Sequence, residues 1–548
     1  MFESNARPYT STNAAESRPV NKTPFDYGAV RAVNVEDENS DLNALDNSWD
    51  NSWDKGGKID IADDNGSEPV YRDVAFSALF VMHLLAMLFL GIFYGSWTID
   101  VGRHKDEEEE NELIPDDSLS MSTDLVIFLG VPCSAVSFFL TFIVTSFYTP
   151  KHATFVVTSS LVLSVASIIL ICLLLCTMFP FWYTILSSFT MVAVTVYYVM
   201  ILWKFIPFAA TNLAMSIKGI SSNCGIYFIA IVFSTFPFIW TFFTLYVANG
   251  SLNSEKMIKP CEEDDPDCAV QYKSGGSEVI LWGILLLSLI SLYWTCTVMS
   301  NIIQVTVAGV MGTWCFNKTN ASTCCSPAVT SSLHRSITFS FGSICFGSLF
   351  GAIVTAFRIL TSIARNQDRN DDNNCSLEDG ILVCIIECIL SLIKDPIEYF
   401  NRWTYVYVGI YGHSYIKSGK GVIELFRARG WTLIATYDLV SYTLNFIAVQ
   451  ISICSGLAGV AIIALGYIYA PTPMAFCIGF IFGFFISSAM MNVIKKATNT
   501  LIVCYADSPA MLEESHPELA QEIAKAWISA FPDCRVILEK EPIIAVSV

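Results

Sequence analysis

Long apolar runs separated by short polar segments dominate the chain. Ten of these runs are long enough to cross a hydrocarbon layer of ~30 Å, which takes about 20 helical residues. The predicted spanning helices lie near 74–97, 123–147, 154–178, 181–206, 224–248, 279–302, 336–360, 380–400, 432–468 and 473–494. The pattern predicts an all-α membrane protein, a polytopic helical bundle of about ten transmembrane helices.

Two of the ten runs are irregular. Glu387, Lys394 and Asp395 interrupt the eighth, where the neighbouring Lys394 and Asp395 are candidates to pair with each other. The ninth is long enough to tilt, or to break near Gly456 and Gly459. We expect the boundaries around these two runs to be the hardest to place.

Composition and charge narrow the classes of function. Hydrophobic residues make up 53% of the chain and charged residues 15%, which no soluble protein of this length accommodates. The net charge of −19 is concentrated in residues 1–73, 98–124 and 249–278, which carry −8, −8 and −4. The rest is almost neutral and offers no Lys/Arg face for phosphates, so we expect no nucleic-acid partner.

The polar segments and the even number of spans predict a topology. Residues 1–73 are rich in Ser, Asn and Asp, which predicts a disordered acidic tail that is not a signal peptide and is able to recruit cytosolic partners. Residues 74–494 form the membrane domain, in which basic residues of loop 401–430 and those at the start of 495–548 favour the cytosol for both termini. The acidic loops 98–122 and 249–278 are then external. Three arginines oppose this orientation: Arg358, Arg365 and Arg369.

Most of the 18 cysteines fall inside predicted spans, where a thiol behaves as a small apolar group. Cys261 and Cys268 flank an acidic stretch of a predicted external loop, so we predict a disulfide between them. No second cysteine pair or histidine lies near them for a zinc site. Of the four glycosylation sequons, the topology leaves Asn249 and Asn374 available.

Motifs of energised or catalytic membrane proteins are absent from the sequence: there is no phosphate-binding loop, dinucleotide fingerprint, zinc-protease motif or nucleophile elbow. We therefore expect no catalytic residue, cofactor or metal. A passive or secondary transporter, a channel or a structural membrane protein remains. Small residues at Ser343, Gly347 and Gly351, and at Gly479 and Gly483, have the spacing of close helix packing.

Ionisable residues at membrane depth are costly and usually functional. The candidates are His83 in the first span, Glu387 in the eighth and Asp438 in the ninth. Asp438 has Tyr442 on its helical face, although it also lies close to the start of its span. Aromatic side chains within spans are able to bind an ammonium group through cation–π contacts, but many serve only packing or the interface.

Five separate strings resemble the choline transporter-like family, a solute-carrier family with ten predicted spans. They are Glu68-Pro69-Val70-Tyr71-Arg72-Asp73-Val74, Ala308-Gly309-Val310-Met311-Gly312-Thr313-Trp314, Ser340-Phe341-Gly342-Ser343-Ile344-Cys345-Phe346-Gly347-Ser348-Leu349, Phe400-Asn401-Arg402-Trp403-Thr404-Tyr405 with Tyr411-Gly412, and Asn499-Thr500-Leu501-Ile502-Val503-Cys504-Tyr505-Ala506-Asp507. The first external loop is short, and Asn499 replaces an acid that is usual in the family. The sequence therefore looks like a divergent fungal or protist member.

The resemblance implies a carrier in the plasma membrane, or alternatively an organelle membrane, that moves choline or a cationic amino alcohol such as ethanolamine by alternating access. For the quaternary ammonium we predict aromatic contacts from Tyr198, Trp240 and Trp294, with Glu387 or Asp438 as counter-charge. Two alternatives stay open: a non-transporting membrane scaffold and a transporter of a different small solute. A channel is disfavoured because no span carries a repeating polar face.

Overall fold

The computed structural model describes the chain between residues 71 and 530, with several interruptions. The described stretches are 71–109, 123–146, 150–178, 182–256, 276–316, 323–324, 326–370, 377–428, 434–466 and 471–530. All of them belong to the unit Pro69–Val548, and Met1–Glu68 is the other unit of the chain. The predicted disulfide cysteines Cys261 and Cys268 and the predicted glycan site Asn374 lie outside the described residues.

The described residues are predominantly helical and contain no strand, which confirms the predicted all-α class. In chain order the helices are α1 (Val74–Glu109), α2 (Thr123–Ser146), α3 (Pro150–Met178), α4 (Trp182–Leu202), α5 (Ile206–Ser221), α6 (Gly225–Lys256), α7 (Gly276–Phe316), α8 (Pro327–Ile337), α9 (Phe341–Asn370), α10 (Leu377–Tyr411), α11 (Tyr415–Ala428), α12 (Ile434–Ala464), α13 (Thr472–Asp507), α14 (Pro509–Ser515) and α15 (Pro517–Ala530). A short 3-10 turn, Trp203–Phe205, joins α4 to α5.

Within the described ranges, nine helices are long and apolar enough to cross a membrane. The predicted eighth span is also helical, as part of α10, but its charged residues keep it out of that set. Lys394 does not pair with Asp395 as expected. It forms an ion pair with Glu398 at 3.5 Å, because residues four apart share a helical face and adjacent residues do not.

Two segments predicted as cytosolic loop and tail are helical over most of their described residues, and their location relative to the membrane stays a prediction. The range 401–430 holds the end of α10 and all of α11, and Trp403 and Tyr405 are both buried. The last span does not end at 494, because α13 continues to Asp507 with Lys496 inside the bundle. Lys496 faces the neighbouring helix α7, so a charged residue at this point of the sequence does not mark the end of the helix.

The predicted break in the ninth span does not occur, since α12 is continuous through Gly456 and Gly459. A Cβ atom at Gly459 would lie 2.7 Å from the Ala475 carbonyl oxygen of α13, so the missing side chain lets two backbones approach. The small-residue prediction is confirmed in the same way at Gly483, where a Cβ would meet Ser455 at 2.5 Å.

Helix α7 is the central element. It packs against α6, α8, α9, α10 and α13, while α2 and α12 pack together on the far side of α13. Near one end of this core a disulfide joins Cys224 and Cys324, with Cα atoms 4.6 Å apart. No local pattern in the sequence indicates this pair, because the two cysteines are separated by 100 residues.

Candidate functional site

Three helices bring aromatic side chains together midway along their apolar segments. His83 of α1 lies between Trp240 of α6 and Trp294 of α7, with ring centroids 6.5 Å and 4.8 Å away. Phe80 packs edge-on against Trp294 at 5.1 Å. We call Phe80, His83, Trp240, Ser291 and Trp294 the aromatic cluster; its two indoles are buried.

Hydrogen bonds orient the cluster and are satisfied by a neutral imidazole. His83 Nδ1 lies 3.0 Å from the carbonyl oxygen of Phe80, and a carbonyl only accepts, so Nδ1 carries the proton. Trp240 Nε1 only donates, and it lies 3.2 Å from Ser291 Oγ. The Ser291 hydroxyl then donates to His83 Nε2 at 2.8 Å, and the chain is complete with a neutral imidazole.

Trp294 is fixed separately from Trp240. Its Nε1 donates to the carbonyl oxygen of Cys345 on α9 at 3.1 Å, where α9 passes α7. Trp240 is flanked on its own helix by Phe236, stacked at 5.9 Å, and by Phe243 at 5.0 Å. The two indoles are therefore held by different neighbours: the Ser291 hydroxyl links Trp240 to His83, whereas Trp294 is bonded to α9.

A second group of polar side chains lies beside the cluster, between α7, α9 and α10. Asn301 donates to Ser348 at 2.9 Å, and Ser348 lies 3.2 Å from the hydroxyl of Tyr405. Asn401 donates to the Gly347 carbonyl at 3.1 Å and accepts from the Tyr415 hydroxyl. We call Asn301, Ser348, Asn401, Tyr405 and Tyr415 the polar tier; it connects α7, α9, α10 and α11 through uncharged groups.

Asp73 joins the start of α1 to two other helices. Its carboxylate accepts from the Ser343 hydroxyl in the first turn of α9 and from the Tyr415 backbone N–H, which begins α11. Helix starts present unpaired N–H groups and a partial positive charge, so a carboxylate is favourable there. Asp73 takes a φ of 51°, the left-handed region in which Asp is one of the better tolerated residues.

Two basic side chains, Arg335 and His413, lie near these helix ends, outside the apolar spans. Arg335 of α8 donates to the Gly409 carbonyl, and burial lowers the pKa of Arg335 to about 10, so that it stays charged at neutral pH. His413 lies in the turn between α10 and α11. Burial, followed by the charges of Lys417 and Arg72, lowers the pKa of His413 to about 4.

A buried ammonium group, that of Lys496 on α13, lies against the opposite face of α7. Ser300 is nine residues after Ser291, and at about 100° per residue the two side chains point to opposite sides of the helix. Lys496 of α13 donates to the backbone carbonyl of Ser300 and, at 2.9 Å, to its hydroxyl. The α7–α13 seam is therefore separate from the aromatic cluster.

The structure brings together two of the five residues predicted to bind substrate, Trp240 and Trp294. Tyr198 is 45% exposed on α4, which packs mainly against α3. Glu387 precedes Tyr405 by 18 residues on α10, about 27 Å along the helix. Asp438 lies in α12, and its side chain is outside the described residues.

Other sequence-derived candidates have mixed outcomes. His83, one of the ionisable candidates, lies between the two tryptophans. Asn249 is exposed near the end of α6, where its glycosylation stays a prediction. Sequence reasoning missed Ser291, because a serine in an apolar helix is too common to stand out. Within the described residues, no group of three His, Cys, Asp or Glu side chains is arranged to hold a metal ion.

Comparison with known proteins gives one family. Residues 185–510, more than half of the chain, match the family model described as plasma-membrane choline transporter. Protein PNS1 of Gibberella zeae is 28% identical over 334 residues, or 59% of this chain and 58% of that protein. Protein PNS1 of Mycosarcoma maydis is 30% identical over 46% of this chain and 48% of its own length. A CTL-like protein of Dictyostelium discoideum is 29% identical over 42% of this chain and 40% of its own length.

The match therefore spans about half the length of these curated relatives. Strings that suggested the family in the sequence also meet in space: Asp73 binds Ser343, Gly347 lies against Asn401, and Tyr411 donates to Asp507 at 2.5 Å. The motifs are thus contacts between helices far apart in the chain. The chain belongs to the choline transporter-like family of multi-pass membrane transport proteins.

Proposed function

We propose that this protein carries choline, or a related cationic amino alcohol such as ethanolamine, across the plasma membrane. The observation that supports the proposal most directly is the aromatic cluster, in which two buried indoles flank a neutral imidazole. A quaternary ammonium cannot donate hydrogen bonds from its charged end, so aromatic faces must replace its water. A neutral His83 adds no repulsion to an incoming cation.

Trp240 and Trp294 are the proposed cation–π partners, and Phe80 completes one wall beside Trp294. In the described conformation these rings pack against each other, so a cation needs them to separate. The hydrogen bonds of Ser291 support such a role. Ser291 bonds to both Trp240 and His83, so the Trp240 ring has a defined position to which it returns after the rings separate. Tyr198, Glu387 and Asp438 remain candidates for other points along the path of the solute.

Alternating access fits the grouping of the helices. One group consists of α2, α12 and α13, which pack on one another, and the other consists of α1, α6, α7, α9 and α10. The seam between α7 and α13 connects the two groups. We infer that the groups move against each other along this seam, with the aromatic cluster carried by the second group.

Uptake of labelled choline into proteoliposomes that contain only this protein tests the proposal. Trp240→Leu and Trp294→Leu each remove a contact worth about 1–2 kcal/mol, which corresponds to about a tenfold rise in KM. Trp282→Leu is the matched control, since Trp282 lies on α7 and is 37% exposed.

If the KM values of all three variants equal that of the parent protein, the cluster does not bind the cation. If the parent protein transports neither choline nor ethanolamine, the substrate class is wrong. Uptake of another solute would then identify a different carrier, and no uptake of any solute would favour the scaffold.

A further inference from the structure

Lys496 is the buried cation of the α7–α13 seam, and the proposed transport of choline gives it no role. Its side chain is 6% exposed, inside the apolar segment Thr472–Asp507. Its two described hydrogen-bond acceptors, the carbonyl and the hydroxyl of Ser300, are both neutral. Across the part of the chain that the structure describes, no carboxylate lies within the 4.0 Å ion-pair distance of its ammonium.

Neighbouring side chains at the same seam also lack partners. Gln304 follows Ser300 by one turn on the same face of α7, is 5% exposed, and its Nε2 has no acceptor among the described residues. Asn499 follows Lys496 by one turn on α13, is 2% exposed, and its Oδ1 has no donor in the same described set. Buried polar groups of this kind normally have a partner.

We propose that the α7–α13 seam binds a small monovalent anion such as chloride on Lys496, with the Gln304 amide as second donor. A water molecule alone would satisfy the spare N–H groups, whereas an anion also compensates the charge that Lys496 carries when it is protonated. The ammonium supplies a single charge and no planar fork, which suits a spherical ion better than a carboxylate or phosphate. Asn499 Oδ1 then accepts from a water that also solvates the ion.

The anion has a consequence for a carrier of cations. The charge of Lys496 lies on the face of α7 opposite the aromatic cluster, six residues or about 9 Å along the axis from Trp294 to Ser300. A bound anion cancels this charge without occupying the cluster. The inference does not depend on the identity of the transported solute.

The test is the thermal stability of the purified full chain in detergent, without any transport substrate. Sodium chloride and sodium gluconate are compared at equal ionic strength, and chloride is then titrated. Because a ligand stabilises the state that binds it, we expect Tm to rise with chloride concentration. Lys496→Met should lose this dependence, and Lys495→Met, with the same change of charge one residue away, should keep it.

A second variant guards against failure of Lys496→Met to fold. In Gln304→Leu the chloride concentration that gives half of the effect should rise about tenfold, the loss expected for one good hydrogen bond to an ion. Equal Tm values for the parent in chloride and gluconate would overturn the proposal. So would an unchanged chloride dependence in either Lys496→Met or Gln304→Leu.

Discussion

Replacement of Ser291 by alanine is the sharpest test of the hydrogen-bonded aromatic cluster. The serine is fully buried on α7, and its hydroxyl serves two partners from two other helices, His83 Nε2 at 2.8 Å and Trp240 Nε1 at 3.2 Å. Alanine removes both bonds and leaves the buried Trp240 donor and the half-buried His83 acceptor without this partner. Hydrogen bonds between membrane helices average about 0.6 kcal/mol, whereas an orphaned buried group costs about 1–3 kcal/mol. We therefore expect the free energy of unfolding to fall by about 1–3 kcal/mol.

The same helix offers a matched control. Ser288 is 4% exposed, and its hydroxyl has no hydrogen-bond partner among the described residues. Ser288→Ala removes a similar atom without orphaning another group, so it should leave stability unchanged or raise it slightly. The assay is equilibrium unfolding in detergent, followed by choline binding, which Ser291→Ala should weaken because Trp240 loses its fixed orientation. Equal changes in stability for the two variants would refute the hydrogen-bonded chain.

Three further predictions concern the helix junctions. Gly347→Ala should lower the free energy of unfolding by about 1–3 kcal/mol, because its Cβ would press on the Tyr405 hydroxyl 2.6 Å away. Gly283→Ala, with nothing within 4 Å of the added Cβ, should stabilise α7 by about 0.5–1 kcal/mol. Thermal unfolding of both variants checks these two outcomes. Asp73→Ala should lower the free energy of unfolding by about 1–2 kcal/mol, because the hydrogen bonds of the carboxylate to the helix starts are lost. Asp73→Asn should lower it by much less, since Asn also accepts hydrogen bonds and tolerates a φ of 51°. Equal losses of stability in the two variants would contradict this account. The pKa of His413 in the folded chain, about 4, lies below the ~6.5 of an unfolded histidine. The unfolded chain therefore binds a proton first as the pH falls, and stability should decrease from pH 6.5 towards 4. A His413→Gln variant whose stability has the same pH profile as the parent would contradict this origin.

Periodic apolar patterning was sufficient to predict the helical class and most spans, because length and hydropathy are local properties. Apolar patterning failed to predict the structure where a charged side chain faces protein instead of water. The sequence predicts that the last span ends before Lys496 and that the residues around Trp403 form a loop. Both predictions follow from polar residues, and nothing local distinguishes a polar residue inside a bundle from one at its surface. Lys496 is buried against Ser300 of α7, 196 residues earlier, and Trp403 packs against Phe426 of the next helix, α11.

The candidate site was predictable in residue type more than in arrangement. Trp240, Trp294 and His83 were recognisable as aromatic or ionisable residues in apolar spans. Their convergence was not, because it depends on how three helices pack, and no single helix carries the pattern. The Cys224–Cys324 pair escaped detection for the same reason, since a separation of 100 residues leaves no spacing to read.

The length of α7 has a mechanical consequence. Its 41 residues extend about 62 Å, roughly twice the ~30 Å of a hydrocarbon layer, so even a strongly tilted α7 projects far beyond the lipid. The turns around Trp314, close to the end of α7, are covered: His516 stacks on that indole at 4.2 Å and binds its backbone carbonyl at 3.0 Å. Because His516 joins α14 to α15, we expect a displacement of α7 to be passed directly to these two helices.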